Sequence, residues 1–297
     1  SYNRLVRYDV ASGTRIAGDL AESWQISADG KIYTFKLARD VTFHDGSRLT
    51  AQDVAFNLDR MISPPKGVIG NISFLLKPVT DKVEAVGGDT VRLVLTEPFS
   101  ATLSTLALHY SPIYSEAYVK KNGDMTKTIM GTGPFQAVSY TPSVSLVMKR
   151  FPNYFRKGRP YLDGYTVLFI ADPSTRLSAL RAGKIDMNDR LVGAVTAGDR
   201  DILRASVPSM QFFSTVTATG PWFFMNTRVP PFSDVRVRKA VQLAIDRQAA
   251  LKILAQNEGD VGNIFPLPGW GIPKEELLKL PGWRTPKEPD IAEAKKL

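Results

Sequence analysis

The sequence predicts an α/β protein, and three observations carry the prediction. Tyr165 to Ile170 is a near-continuous apolar run of strand length, the kind buried on both faces of a sheet. It leads into Asp172-Pro173-Ser174, after which Leu177, Leu180 and Arg181 recur at helical spacing as far as Gly183. Strand, short loop and helix in that order is the α/β signature. Near the start of the chain, Ala21 to Met61 reads as hairpin, turn and capped helix, so the hydrophobic period changes from 2 to 3.6 within one segment.

Each element follows from local chemistry. Tyr2 to Val10 reads as a helix end followed by a strand. Lys31 to Leu37 alternates, with Ile32 opposed to Tyr33, Phe35 and Leu37, and Ala28-Asp29-Gly30 joins it to Ser23–Ile26 as a hairpin turn in which Gly30 takes φ > 0. After the Asp45-Gly46 turn, Thr50 is an N-cap with Asp53 three residues on, a variant capping box, ahead of Val54, Leu58 and Met61 at helical spacing. Val83, Ala85 and Val86 lead through Gly87-Gly88-Asp89 to Val91, Leu93 and Leu95, a second hairpin.

Thr102 to Leu108 and Ser115 to Lys121 are expected to be short helices, the second capped by Ser115 with lysines at its C-terminal end, where they complement the helix dipole. Phe135 to Tyr140 and Val144 to Arg150 pair across Thr141-Pro142-Ser143. Asp199 to Ala205 is a helix, Met210 to Thr217 a strand and Trp222 to Asn226 extended and aromatic. Ser233 caps a helix carrying Val235, Val237, Ala240, Val241 and Ala244, Gln248 to Gln256 forms another, and Ile291 to Leu297 begins a last one.

Composition bounds the function classes. A chain of 297 residues buries roughly 75% of its unfolded surface, enough for about two domains. At 43% hydrophobic and 23% charged it has ordinary globular composition, and no uninterrupted apolar run approaches the ~18 residues that span a bilayer. The absence of cysteine excludes disulfides, thiolate metal sites and cysteine nucleophiles. The net charge of +9 invites nucleic acid or an anionic membrane as partner, but the bases are dispersed, with Arg236, Arg238 and Lys239 among the densest groups and no run of five or six. Nucleic-acid affinity depends on clustered phosphate contacts, so it is not expected.

The same segments resemble a known family. Leu20–Trp24 (LAESW), Gly30–Leu37 with its YTF core, and Val41–Val54 with FHDG and LTA are similar to signatures of the peptide and nickel branch of extracellular solute-binding proteins, which deliver ligands to ABC importers. MGTGPF at 130–135, Phe-Pro-Asn-Tyr-Phe at 151–155, ADPSTRLSALRAGKIDM at 171–187 and MNTRVPPFSDVRVRKAVQLAIDR at 225–247 follow in the order the family shows. The resemblance implies a type II periplasmic-binding-protein fold, two α/β lobes joined by hinge strands with an extra mixed α/β domain. Residues 1–20 and 131–225 would form the discontinuous first-lobe core, 21–130 the inserted domain and 226–297 the start of the second lobe, with the hinge near Asn226 to Arg228. It also implies that the family's opening strand and the C-terminal part of the second lobe lie outside this chain, that an export signal has been removed, and that the protein is periplasmic, with or without membrane association. The 297-residue chain is accordingly expected to bind ligand weakly or not at all.

Catalysis has little to rest on. Only His44 and His109 are present, far apart and in no metal-binding spacing; His44 is expected to bond within its turn. Gly131-Thr132-Gly133 lacks the third glycine of a dinucleotide fingerprint and precedes a strand. No GxSxG elbow exists, and Asp40, Asp45 and Asp53 sit at turns and caps without a histidine partner. Asn71-Ile72-Ser73 matches a glycosylation triplet that is incidental in a bacterial-type protein.

The favoured ligand-binding residues are Trp222, Phe224 and Asn226, alternate residues that would share one strand face, the opposite face carrying Phe223 and Met225. A core role for this stripe stays open. Phe74, His109 and Tyr110 are added because the resemblance places their loops against the cleft. The expected partners are a peptide or similar small solute and a membrane permease, with no cofactor, no metal, no nucleic acid and a monomeric state. Ligands of other chemistry, a metal chelate, an opine or a sugar, stay open, because relatives fix a peptide's amino terminus with an acidic residue of the C-terminal lobe that the chain does not reach.

Overall fold

The computed structural model describes residues 2–9, 12, 15–68, 70–123, 125, 129–188, 195–213, 223–261 and 271–297. The chain divides into two compact units, residues 1–169 and 170–297.

The first unit is built on antiparallel sheets. Strands β1 (Val6–Tyr8) and β2 (Ile16–Gly18) pair with each other. A four-stranded sheet takes β3 (Ala21–Ile26), β4 (Ile32–Leu37), β5 (Thr80–Ala85) and β6 (Thr90–Leu95) in the order β3-β4-β6-β5. The alternation read from the sequence sets its faces: Tyr33, Phe35 and Leu37 of β4 and Val91, Leu93 and Leu95 of β6 are buried, with Tyr33 opposite Leu93 and Phe35 opposite Val91. Both hairpin turns are as expected, Gly30 and Gly87 each at φ +72°.

Helix α1 (Ala51–Ile62) packs on β5 and β6. Its N-terminus is the capping box anticipated from Thr50 and Asp53: the Thr50 Oγ1 accepts from the Asp53 N–H at 3.2 Å, and the Thr50 N–H donates to Asp53 Oδ2 at 3.0 Å. Val54 and Leu58 enter the core with Phe35, Phe43, Ile72, Leu76 and Leu106. Three short helices follow: α2 (Ser73–Leu76), α3 (Thr102–Leu106) and α4 (Glu116–Asn122), the last capped by Ser115, whose Oγ accepts from the Tyr118 N–H at 3.2 Å.

A third, three-stranded sheet, β7-β8-β9, comprises Phe135–Thr141, Ser145–Arg150 and Gly164–Leu168. Here an expectation fails. The apolar strand at 165–170 is not buried on both faces: Tyr165, Val167, Leu168 and Phe169 are all exposed. Among the described residues β9 has one strand neighbour, β8, and stands at the sheet edge, so its apolar composition meets no second layer.

The second unit is helical over its described residues: α5 (Pro173–Arg181), α6 (Ala197–Ser206), α7 (Val235–Ala244), α8 (Arg247–Ala255), α9 (Lys274–Leu277) and α10 (Glu288–Ala294). Side chains of Asp172, Thr196, Asp234 and Asp246 cap four of them. The cap of α7 is Asp234, one residue beyond the Ser233 expected, because its carboxylate accepts from the Arg236 N–H at 2.8 Å and also pairs with the Arg236 guanidinium. Met210 to Phe213 forms no strand, and the rest of that expected strand, along with Trp222, lies outside the described residues. Helix α10 packs on α7, anchored by Asp290, which is fully buried, accepts from the Gly282 N–H and pairs with Lys287 and Arg284. Burial opposes its ionisation, but Lys287, the Gly282 amide and Arg284 outweigh that and hold its carboxyl below the usual carboxylate range. No helix of the described residues is long and apolar enough to cross a membrane.

Candidate functional site

Three of the sequence-predicted residues fall on adjoining elements of the first unit. Phe74 lies on α2, which packs against both α1 and α3, and His109 and Tyr110 follow the end of α3. The local sequence explains why their rings project. Ile72 and Leu76 turn into the core, Ser73 Oγ donates to the Ile62 carbonyl at 2.7 Å, and Phe74, between them, is left 73% exposed. Gly70 permits the tight entry, since a Cβ there would stand 2.9 Å from the Met61 carbonyl oxygen.

His109 and Tyr110 sit between anchored neighbours. Leu106 and Ala107 are buried on one side; on the other, buried Ser111 donates to the Thr105 carbonyl and the Ile113 N–H donates to the Asn3 carbonyl at 2.9 Å. The two rings lie against each other, tilted at 42° with centroids 3.8 Å apart, and Tyr110 is 47% exposed. A fixed backbone carrying exposed aromatic faces suits ligand contact, because little side-chain freedom remains to be lost on binding.

The remaining predicted residues belong to the second unit. Phe224 is 87% exposed. Asn226 spends its side chain locally, accepting from the Arg228 N–H at 3.1 Å in an Asx turn. Residues 223–226 form no strand, so the shared strand face expected for Phe224 and Asn226 is not seen, and Trp222 lies outside the described residues. Phe223 packs edge-on against Phe232 at 6.4 Å.

What sequence reasoning missed is the polar framework under the first site. His44 does not bond within its turn: its backbone N–H donates to the Gly131 carbonyl and its Nε2 to the Gly133 carbonyl, both at 3.0 Å, with Phe151 edge-on at 5.0 Å. Burial pushes its imidazole below the ordinary histidine range. The glycine turn continues the network, Thr132 Oγ1 donating to Asn3 Oδ1 and Asn3 Nδ2 to Asp19 Oδ1 at 2.7 Å, while Arg156 pairs with Asp19 at 2.8 Å. Asn57, fully buried, donates to the Asp53 and Tyr114 carbonyls. The tertiary bonds of this framework join residues from 16 positions apart, at Asn3 and Asp19, to 137 apart, at Asp19 and Arg156, beyond any local pattern. An open depression of about 460 Å³ is lined by Glu22, Ala38, Arg39 and Phe155, none of them a predicted site residue.

Comparison with known proteins decides the family. The model of bacterial extracellular solute-binding proteins, family 5 Middle, matches residues 15–297. The chain belongs to this family. The chain is 30% identical over 275 residues to di/tripeptide-binding protein 2 of Pseudomonas aeruginosa, covering 85% of itself and 50% of that protein. It is 31% identical over 278 residues to heme-binding protein A of Haemophilus influenzae, covering 87% of itself and 50% of the relative. Among solved structures, the ABC transporter-associated periplasmic binding protein DppA of Helicobacter pylori in complex with the peptide STSA superposes with a TM-score of 0.81 at 25% identity, over 99% of this chain and 59% of that one. The matched portion therefore has the type II periplasmic-binding-protein fold, and the chain spans about half the length of the curated relatives it matches. The family is one of binding proteins and is extracellular.

Proposed function

We propose that this protein is the solute-binding component of an ABC import system. It captures a peptide or similar small solute between two hinged lobes and presents it, as a monomer in the periplasm, to a membrane permease, without chemical turnover and without nucleic acid. Family membership over residues 15–297 carries the reading. The exposed aromatic edge of Phe74, His109 and Tyr110 supports its site. Phe224, Asn226 and Trp222 would contribute from the hinge side.

The proposed domains are residues 1–20 and 131–225 for the first-lobe core, 21–130 for the insertion and 226–297 for the start of the second lobe. In support, the four-stranded sheet and helices α1 to α4 all lie within 21–130. Hinge closure, for which periplasmic binding proteins are a standing example, fits this design, because a ligand shifts an open–closed equilibrium only through interactions it makes in the closed form alone. A relative whose name specifies heme, at 31% identity, favours a second reading, a flat non-peptide ligand on the same aromatic edge.

Native mass spectrometry of the protein purified without stripping its cargo tests both readings. A mass increment in the range of a short peptide is expected, and calorimetry should show Phe74→Ala or Tyr110→Ala weakening that ligand about tenfold, roughly 1.4 kcal/mol. Peptide turnover, or full affinity in both variants, would overturn the proposal.

A further inference from the structure

We propose that the excursion joining β8 to β9 is a docking surface for an anionic lipid bilayer. Between residues 149 and 162 the chain carries Lys149, Arg150, Arg156, Lys157 and Arg159 and no carboxylate. Two of these charges are internally matched: Arg150 pairs with Asp163 at 2.7 Å and Arg156 with Asp19 at 2.8 Å. Lys149, Lys157 and Arg159 make no ion pair among the described residues. By contrast Arg236, in the equally dense group at 236–239, is paired with Asp234, and Arg238 donates to the Phe232 and Ser233 carbonyls.

Tyr161 and Leu162 stand side by side where the excursion rejoins β9, 72% and 62% exposed. Their exposure is built in. Arg150 donates to the carbonyls of both, at 3.3 and 3.2 Å, its backbone N–H donates to the Asp163 carbonyl at 2.6 Å, and buried Phe151 anchors the base. The Arg159 guanidinium lies 4.0 Å over the Tyr161 ring, placing a cation beside the exposed apolar pair.

Magnitudes select the partner. Two side chains fall far short of the ~800 Å² each partner buries in a stable protein interface. Three free cations fall short of the roughly 6–10 phosphate contacts that sustain DNA binding. A bilayer needs neither: a tyrosine ring suits the headgroup region, a leucine the acyl boundary, and each nearby cation adds about fivefold in partitioning to anionic lipid, about a hundredfold for three.

Flotation of the 297-residue chain with vesicles of phosphatidylcholine, with and without one quarter phosphatidylglycerol, tests this. Binding to the anionic vesicles at low salt is expected, at least tenfold weaker on the neutral ones and falling as salt rises. Lys157→Ala with Arg159→Ala should weaken it about 25-fold, and Tyr161→Ser with Leu162→Ser at least fivefold, with thermal unfolding unchanged in each; Lys149→Ala, on the strand instead of the loop, should act in the same direction. No binding to anionic vesicles, full binding by the Tyr161/Leu162 variant, or equal affinity for a DNA duplex would each overturn the proposal, the last in favour of a general polyanion surface.

Discussion

His44 shows what a single residue does in this chain. Its motif, Phe43-His44-Asp45-Gly46, invites a local reading, and Asp45 does close the turn, accepting from the Ser47 N–H at 2.9 Å. The imidazole instead reaches 89 residues along the chain to the Gly133 carbonyl, tying the β4–α1 connection to the turn that enters β7. The burial around the ring has a pH signature, and it outweighs the Gly133 bond, which favours the charged form. The folded state favours the neutral ring, so its pKa is depressed relative to the unfolded chain. The stability it contributes is therefore complete above the ordinary histidine range and is lost as pH falls through that range toward the depressed value. Thermal unfolding of the wild type should fall more between pH 7.5 and 5.5 than that of His44→Gln, which keeps a donor but does not titrate. An equal fall in both would show that His44 is not the titrating group.

Among the elements, α1 depends most on one side chain. The Asp53 carboxylate closes the capping box on Thr50 and also accepts from the Glu116 N–H at 3.0 Å, so it fixes the first turn of α1 and the start of α4 together. Removing Thr50 Oγ1 deletes an ordinary cap; removing the carboxylate leaves two helix starts without their acceptor. Thr50→Ala should cost about 1 kcal/mol and Asp53→Ala about 3 kcal/mol in chemical denaturation. Equal costs would mean that the link to α4 carries no energy. The box is legible in the sequence because its partners are three residues apart, whereas the Glu116 contact crosses 63 residues and leaves no local trace. The turn at Gly30 and the cap at Ser115 are legible for the same reason. Asp234 displaces Ser233 as a cap because a carboxylate that can also hold Arg236 is the stronger acceptor there. The strand at 165–168 is evident from its apolar run, but its burial is not, since an apolar strand is buried only if something packs on it.

Across the whole molecule the two units differ in how much core they hold. The first gathers Phe35, Phe43, Leu58, Leu76, Leu93, Leu106 and their neighbours into one cluster. In the second, the buried apolar residues among those described are Leu180, Leu203, Leu243, Val261 and Leu277, spread over separate elements. Hydrogen exchange should therefore show slow amides in β4, β6 and α1 and markedly faster ones in α5 to α8 of the 297-residue chain. Protection of α8, which buries no side chain, at the level of β4 would contradict this. The candidate site divides along the same line. Its aromatic residues are legible as types, and Phe74, His109 and Tyr110 fall on adjoining elements, with Phe74 and Tyr110 exposed, while Asn226 is turned into its own backbone.

Sequence alone determined the family, the antiparallel hairpins, the caps at Thr50 and Ser115 and the alternation that buries one face of β4 and β6, because all of these depend on residues within a few positions of one another. Only the tertiary structure decided that His44 clasps Gly133, that Asp19 holds Arg156, that β9 stands uncovered among the described residues and that Tyr161 and Leu162 are held outward. Those outcomes depend on which distant groups meet in space, and the energies of such meetings, about 1 kcal/mol for a hydrogen bond, are written in no local pattern.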